Sequence, residues 1–220
     1  VSAGGILAPS LSLEALRAGT GETTAFVRAS GGSSVRAFGQ ETGIETVRIG
    51  TTVLPTMSDG QLWLNFARAD PRRYISAHTI LDGTFAPGDV SGRHVFIGAS
   101  ATGLLDLRAT PLASSVPGVE IHAQALEQML SGAHLTRPAF ATGAEIVFLL
   151  LAGLLVAGAI RRTGALGAAA IGSGAIAAVT AASWFAFSHA GYLLDPVYPA
   201  LALLAVYLTG SLLSYIRTET

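Results

Sequence analysis

Apolar residues follow two different rules along these 220 residues. Before Pro138 they come singly or in short groups broken by Gly, Ser, Asp and Arg, whereas after it they run almost without interruption. In the first part, residues 93–132 carry the clearest pattern. Val95, Phe96 and Ile97 form an apolar run ending at Gly98, Ala99 and Ser100, which predicts a short buried strand leaving its sheet at a sharp turn. Further on, Pro117 and Gly118 open a stretch with Val119, Ala123, Leu126, Met129 and Leu130 on one stripe. Glu120, Gln124, Glu127, Gln128 and Ser131 form another. That spacing predicts an amphipathic helix, ended at Gly132 by a left-handed cap.

Weaker signals fill in the rest of this part. Residues 9–19 predict a helix with Ser10 or Ser12 as cap, Leu11, Leu13 and Leu16 on its apolar side and Gly19 at its end. Residues 20–43 are rich in Gly, Ser, Thr and Arg, with brief alternations at residues 26–28 and 35–38, the mark of edge strands and loop. Period-two alternation at residues 46–49 and 51–54, with Ser58, Asp59 and Gly60 as turn chemistry before residues 62–66, predicts a hairpin. A short helix is expected over residues 74–81, stopped by Asp82 and Gly83, and residues 87–92 are loop.

The second part contains three apolar runs, residues 144–160, 165–187 and 197–216, against the roughly 20 residues a helix needs to cross a bilayer. Arg161 and Arg162 fill the first connection. The second, residues 188–196, has no Arg or Lys and contains Asp195, and Arg217 follows the third run. The positive-inside tendency then puts the Arg161/Arg162 loop and the C-terminus in the cytoplasm and residues 1–140 outside it. Small residues recur four apart in the middle run at Gly164, Ala168 and Gly172, and again at Ala170, Gly174, Ala178 and Ala182, which predicts a central packing position for it. The expected architecture is an extracytoplasmic α/β domain over residues 1–140, a mixed sheet with flanking helices, followed by three transmembrane helices within residues 143–217. The chain opens on Val1 with no basic-then-apolar signal, so an earlier segment is expected to precede it.

Composition sharpens this division. Half of the residues are apolar and only 12% charged, too few for one ordinary soluble domain, and nearly all the excess lies after Pro138. Thirteen basic residues, all Arg, face fourteen acidic ones. Without a basic stripe to neutralise phosphates, nucleic acid is excluded as a partner. The absence of Cys removes a thiol nucleophile, a Cys-based metal site and any disulfide framework.

Several of these stretches together resemble a known signature. Ile97-Gly98-Ala99, then Asp106, then Ala109-Thr110-Pro111-Leu112, then Pro117-Gly118-Val119-Glu120-Ile121-His122-Ala123-Gln124-Ala125-Leu126 look like the second type of CHASE domain. This is the extracellular input module of bacterial receptor-type adenylate cyclases and sensor kinases. The resemblance extends upstream through Leu54-Pro55, residues 58–66, Ile75-Ser76-Ala77 and Leu81-Asp82-Gly83, and covers residues 50–132 well and 8–50 loosely. It implies a sensory domain on a multi-pass inner-membrane anchor, acting as a homodimer on an unidentified extracytoplasmic ligand or protein. It also implies a cytoplasmic adenylate or guanylate cyclase domain beyond Thr220, hence cAMP signalling. The runner-up is the same input module on a histidine or serine/threonine kinase. Gly98, Pro111, Pro117, Gly118, Glu120 and His122 match the motif as structural positions, and no cofactor is implied.

Candidate chemistry is sparse. Gly98 and Gly103 have the outline of a phosphate-cradling loop, but Leu104 stands where that loop requires Lys. Ser100 lies in a near copy of a nucleophile elbow with Asp106 and His122 downstream, yet Thr102 replaces the Gly that the strained turn needs. A membrane-tethered hydrolase using those three residues is the alternative from another class. His122, near the apolar stripe, reads as a hydrogen-bonded helix residue rather than a ligand or base. Asp106, Arg108 and Thr110 could hold a small polar ligand, or tie their loop down through an ion pair and hydroxyl bonds. Glu120 suits the first helical turn as a charge facing the amide dipole. Glu145 opens the first membrane run, where a carboxylate sits at the interface; as it is the only ionisable group near membrane depth, a transporter is disfavoured. No His, Asp and Glu set has metal-binding spacing, and no catalytic site is expected.

Overall fold

The computed structural model describes residues 2–3, 6–30, 43–99 and 106–219. Two compact units divide the chain, one from residues 1–29 and 44–134, the other from residues 30–43 and 135–220.

The first unit is α/β and, among the described residues, contains three small sheets rather than one mixed sheet. Strands β1 (Ser2–Ala3) and β2 (Ile6–Leu7) pair antiparallel. Strands β3 (Ala25–Ser30), β4 (Gly43–Ile49) and β5 (Thr52–Pro55) form a three-stranded sheet in that order. Helix α1 (Leu11–Gly19) is capped by Ser10, whose hydroxyl accepts the Leu13 N–H at 3.3 Å, and the chain turns away at Gly21 with φ 73°. Strands β4 and β5 pair as a hairpin, with Thr46 opposite Pro55 and Ile49 opposite Thr52, but it turns at Gly50, which supplies the positive φ, and not at residues 58–60, where the sequence pattern puts its turn chemistry; residues 62–66 belong to none of the described strands. Ser58 to Gly60 form a separate turn, in which Asp59 Oδ1 accepts the Gln61 N–H at 3.0 Å.

Helix α2 spans Ala77–Leu81 only, three residues shorter at its start than its pattern predicts, because Tyr74 and Ser76 are extended. Strands β6 (Leu107–Thr110) and β7 (Ala113–Pro117) make a second hairpin, leading directly into helix α3 (Gly118–Ser131), which ends at Gly132 with φ 71°. The core is built where α1 and α3 meet the β3–β4–β5 sheet. Leu16, Ile49 and Leu54 are wholly buried there beside Val47, Ala125, Leu126 and Met129. Each such aliphatic side chain contributes about 1.5–3 kcal/mol on leaving water.

Residues 95–97 correct the expectation of a buried central strand. They belong to none of the described strands; Val95 is 59% and Ile97 91% exposed, and Phe96 alone packs against the core. In an extended chain successive side chains point to opposite sides, so only Phe96 of this apolar run turns inward.

In the second unit, helix α4 (Ala141–Ala190) is followed by α5 (Val197–Glu219). The 50 residues of α4 are not one rod, because Gly164 has φ 73° and ψ −172°, a conformation essentially confined to glycine. A Cβ placed on Gly172 would lie 3.7 Å from Val156 Cγ2. Along a straight helix those residues stand about 24 Å apart, so the chain folds back at Gly164. The two ends of α4 meet as well, since the Phe140 ring just before it packs edge-on against Tyr192 just after it, centroids 6.4 Å apart. Ala152, Val156, Ala159 and Ile160 from the first stretch, Ala168 from the second and Leu203 from α5 form the shared core. Most of these buried residues come from the stretch before Gly164, not from the middle one that small-residue spacing marks as central. Small side chains let neighbours approach but bury little area of their own. Ala141–Ala190 and Val197–Ile216 are long and apolar enough to cross a membrane.

Candidate functional site

Helix α3 organises the first unit through both of its faces. Its apolar face reaches the core through Ala125, Leu126 and Met129, while its polar stripe, exposed at Glu127 and Ser131, is also a row of hydrogen-bonding groups for residues 63–74. Gln128 Oε1 accepts the Asn65 N–H at 2.8 Å and Nε2 donates to the Trp63 carbonyl at 2.7 Å. One turn earlier Gln124, only 9% exposed, accepts the Ala67 N–H at 3.0 Å and donates to the Ala67 carbonyl at 3.2 Å and to Glu120 Oε1 at 2.9 Å. Residues 124 and 128 are four apart, so their side chains stack along the helix and present amides to an extended chain as a neighbouring strand would.

Charged ties continue the row. Arg73 donates to both Glu127 carboxylate oxygens, at 2.6 and 3.1 Å, and the pairing raises the affinity of its guanidinium for the proton. The Tyr74 hydroxyl donates to Glu120 Oε2. Burial first, then the Glu120 hydrogen bond and charge, push the phenol up to about 12, with Arg73 acting in the opposite direction. Arg72, next to Arg73, holds the Asp70 carboxyl below its usual range.

Beside this row lies an open cleft of about 460 Å³, lined by His94, Phe96, Ala123, Leu126, Glu127, Leu130 and Ser131. Its floor is apolar and its edge carries the Arg73–Glu127 pair. The His94 ring lies so close to Gly19 that any Cβ there would collide with it. Nothing in the cleft pairs a nucleophile with a base, and no cluster of three metal-ligating side chains exists among the described residues.

In the second unit a polar junction lies where the ends of α4 come together. Thr136 forms a parallel bridge with Tyr192: its N–H donates to the Gly191 carbonyl at 3.0 Å, and its carbonyl accepts the Leu193 N–H at 2.8 Å. Arg137 donates to the Leu193 carbonyl at 3.2 Å and to Glu145 Oε2 at 2.7 Å. The other oxygen of Glu145 accepts the Asp195 N–H at 2.9 Å. Glu145 is therefore a fully engaged clamp at the end of its helix.

A family model for the CHASE2 domain matches residues 1–160, well over half of the chain. The chain belongs to the CHASE2 family. CHASE2 is a sensory domain of signalling receptors and is typically extracellular. The match takes in the first stretch of α4 as well as the α/β unit. No curated protein and no solved structure matches the chain.

Within this CHASE2 chain the motif positions fall around the start of α3. Pro117 ends β7 and serves as the α3 N-cap, and the Gly118 N–H donates to the Asp106 carbonyl at 2.7 Å. A side chain on Gly118 would collide with the Asp106 carboxylate, and one on Gly98 would have its Cβ 2.5 Å from Val119 Cβ. His122 Nδ1 lies 2.9 Å from the Ser12 hydroxyl, tying α3 to α1, with Ser12 only 2% exposed. Thr110 bridges the β6–β7 turn, its hydroxyl meeting the Ala113 carbonyl at 3.3 Å and N–H at 3.1 Å, and Pro111 sits in that turn. Asp106 and Arg108 form no ion pair among the described residues. Ser100, Thr102, Gly103 and Leu104 lie outside the described residues. Sequence reasoning missed Gln124, Gln128, Tyr74 and Arg73 as one system. The available signal was the pair of glutamines four apart on α3.

Proposed function

We propose that this CHASE2 chain is the sensory input and membrane-anchoring part of a receptor-type adenylate or guanylate cyclase, its catalytic domain lying beyond Thr220 in the cytoplasm. On this reading residues 1–140 are extracytoplasmic. The stretches on either side of Gly164 and α5 make three crossings of the inner membrane, and the receptor acts as a homodimer on an unidentified extracytoplasmic ligand or protein.

The fold-back at Gly164 is the observation that carries the reading. It turns one 50-residue element into two stretches of about 23 and 26 residues, each of spanning length. With α5 the count becomes odd, which sets the two chain ends on opposite sides. Arg161 and Arg162 then share one end of the bundle with Arg217, while Arg137, Glu145 and Asp195 share the other. That distribution favours the first end as cytoplasmic. Phe140, Trp184, Tyr192 and Tyr198 gather near the second, as interfacial aromatics do. The outward side chains Leu150, Leu154, Leu201, Leu208 and Leu212 are exposed, a surface suited to lipid.

Single cysteines test the topology cleanly in a chain that has none. In intact cells, a cysteine at exposed Ser91 should react with a membrane-impermeant thiol reagent and one at Thr163 should not; the reverse labelling overturns the receptor reading. Cyclic-nucleotide formation by the full-length parent, compared with a form lacking residues 1–134, tests the output. Phosphotransfer in its place would move the module to a kinase.

A further inference from the structure

We propose that the segment entering the membrane unit acts directly on the last helix, α5, through the junction at Thr136, Arg137 and Glu145, and not only on the helix that follows it in the chain. The inference rests on the receptor reading above and specifies the route of its signal.

Along the backbone, Thr136 and Val197 are separated by the whole of α4. Across the junction they are separated by a few hydrogen bonds. Thr136 holds Gly191 and Leu193 by its own N–H and carbonyl. Arg137 adds a bond to the Leu193 carbonyl and bridges to Glu145, which in turn holds the Asp195 N–H. Asp195 Oδ1 then accepts the Val197 N–H at 2.7 Å, capping α5 at its first residue. Ser183 ties the same loop to the second stretch of α4 by donating to the Leu194 carbonyl at 2.7 Å. Polar contacts thus fix residues 191–196 to the incoming segment, to the helical hairpin and to the start of α5.

The geometry decides which helix feels a shift. Two main-chain bonds in a parallel bridge resist sliding of residue 136 past residue 192, and the Arg137–Glu145–Asp195 chain resists separation. A displacement of residues 135–137 is thus shared at once between the start of α4 and the start of α5. Short ordered connections transmit such movement where a flexible linker would absorb it.

The test uses the full chain in lipid vesicles, spin-labelled at a single cysteine, Leu150→Cys on the first stretch or Leu212→Cys on α5, both outward-facing positions. A Gly-Ser insertion between Gly132 and Ala133 displaces the incoming segment without touching the junction. The probes are molecular oxygen and a water-soluble nickel chelate, whose collisions with the label report depth and orientation. With the junction intact, the insertion should shift accessibility at both labels. With the junction weakened by Thr136→Pro, Arg137→Ala and Glu145→Ala together, which remove every contact but the Leu193 N–H to the residue 136 carbonyl, the shift at Leu212 should fall sharply while that at Leu150 persists. An equal shift at Leu212 with and without the junction overturns the proposal, and so does an unmoved Leu212 when the junction is intact. Failure of the receptor reading looks different: both labels would then collide freely with the nickel chelate before any insertion is made.

Discussion

Gln124 holds Ala67 through both ends of its side-chain amide, accepting the main-chain N–H at 3.0 Å and donating to the carbonyl at 3.2 Å. A buried helix side chain thereby does for Ala67 what a neighbouring strand would do. Gln124→Leu fits the same space but leaves both backbone groups of Ala67 unpaired and removes a donor from Glu120. The cost should be about 1–3 kcal/mol. Faster amide exchange at Ala67, with a lower unfolding midpoint, is the expected result; unchanged exchange would show that solvent satisfies Ala67 equally well.

Gly98 and Gly118 are required by close approach. A valine at Gly98 drives its Cβ into Val119, and one at Gly118 meets the Asp106 carboxylate at the point where α3 begins. Each substitution should destabilise the α/β unit by about 1–3 kcal/mol through overpacking. Thermal unfolding of the two variants checks this, and midpoints equal to the parent's would mean that the neighbouring backbone yields freely.

Gly164 sets the fold-back of α4. Its φ of 73° with ψ −172° costs a residue with a side chain about 1–3 kcal/mol, so Gly164→Ala should shift the hairpin toward a continuous helix. Cysteines replacing Val156 and Gly172 should be joined by a short bifunctional thiol reagent in the parent and joined less in the variant. Equal yields would place the determinant of the turn elsewhere.

The Tyr74 phenol gives a pH-dependent readout of the α3 contacts. Its value in the fold, about 12, lies above the ordinary 10.0, so folding favours the neutral form. The stabilisation is complete below pH 10.0 and is lost as pH rises through about 12. Glu120→Gln removes the hydrogen bond to a carboxylate and its charge but leaves the burial, so Tyr74 should titrate at lower pH while staying above a free phenol. Phenolate absorbance, taken as the difference from a Tyr74→Phe chain, measures this. An unmoved titration would assign the whole shift to burial.

Much of the fold is written locally and is legible for that reason. The 3.6-residue period of residues 118–131 and the glycine after them fix α3, because a helix closes its hydrogen bonds within itself and needs only a face to bury. The same holds for α1 with its Ser10 cap, for the paired alternations of β4 and β5, though not for the place of their turn, and for the apolar runs after Pro138. The tertiary structure alone decided what depends on a distant partner. Residues 95–97 and 62–66 are apolar stretches of strand-like length, yet a strand is completed by whatever chain supplies its hydrogen bonds. For residues 63–67 that supply comes from Gln124 and Gln128, about sixty residues away, which turns part of a polar helical stripe toward the protein. The meeting of Thr136 with Tyr192 and of Glu145 with Asp195 likewise depends on the fold-back at Gly164, since hydrophobic spacing records that a segment is apolar but not which neighbour its polar ends will meet.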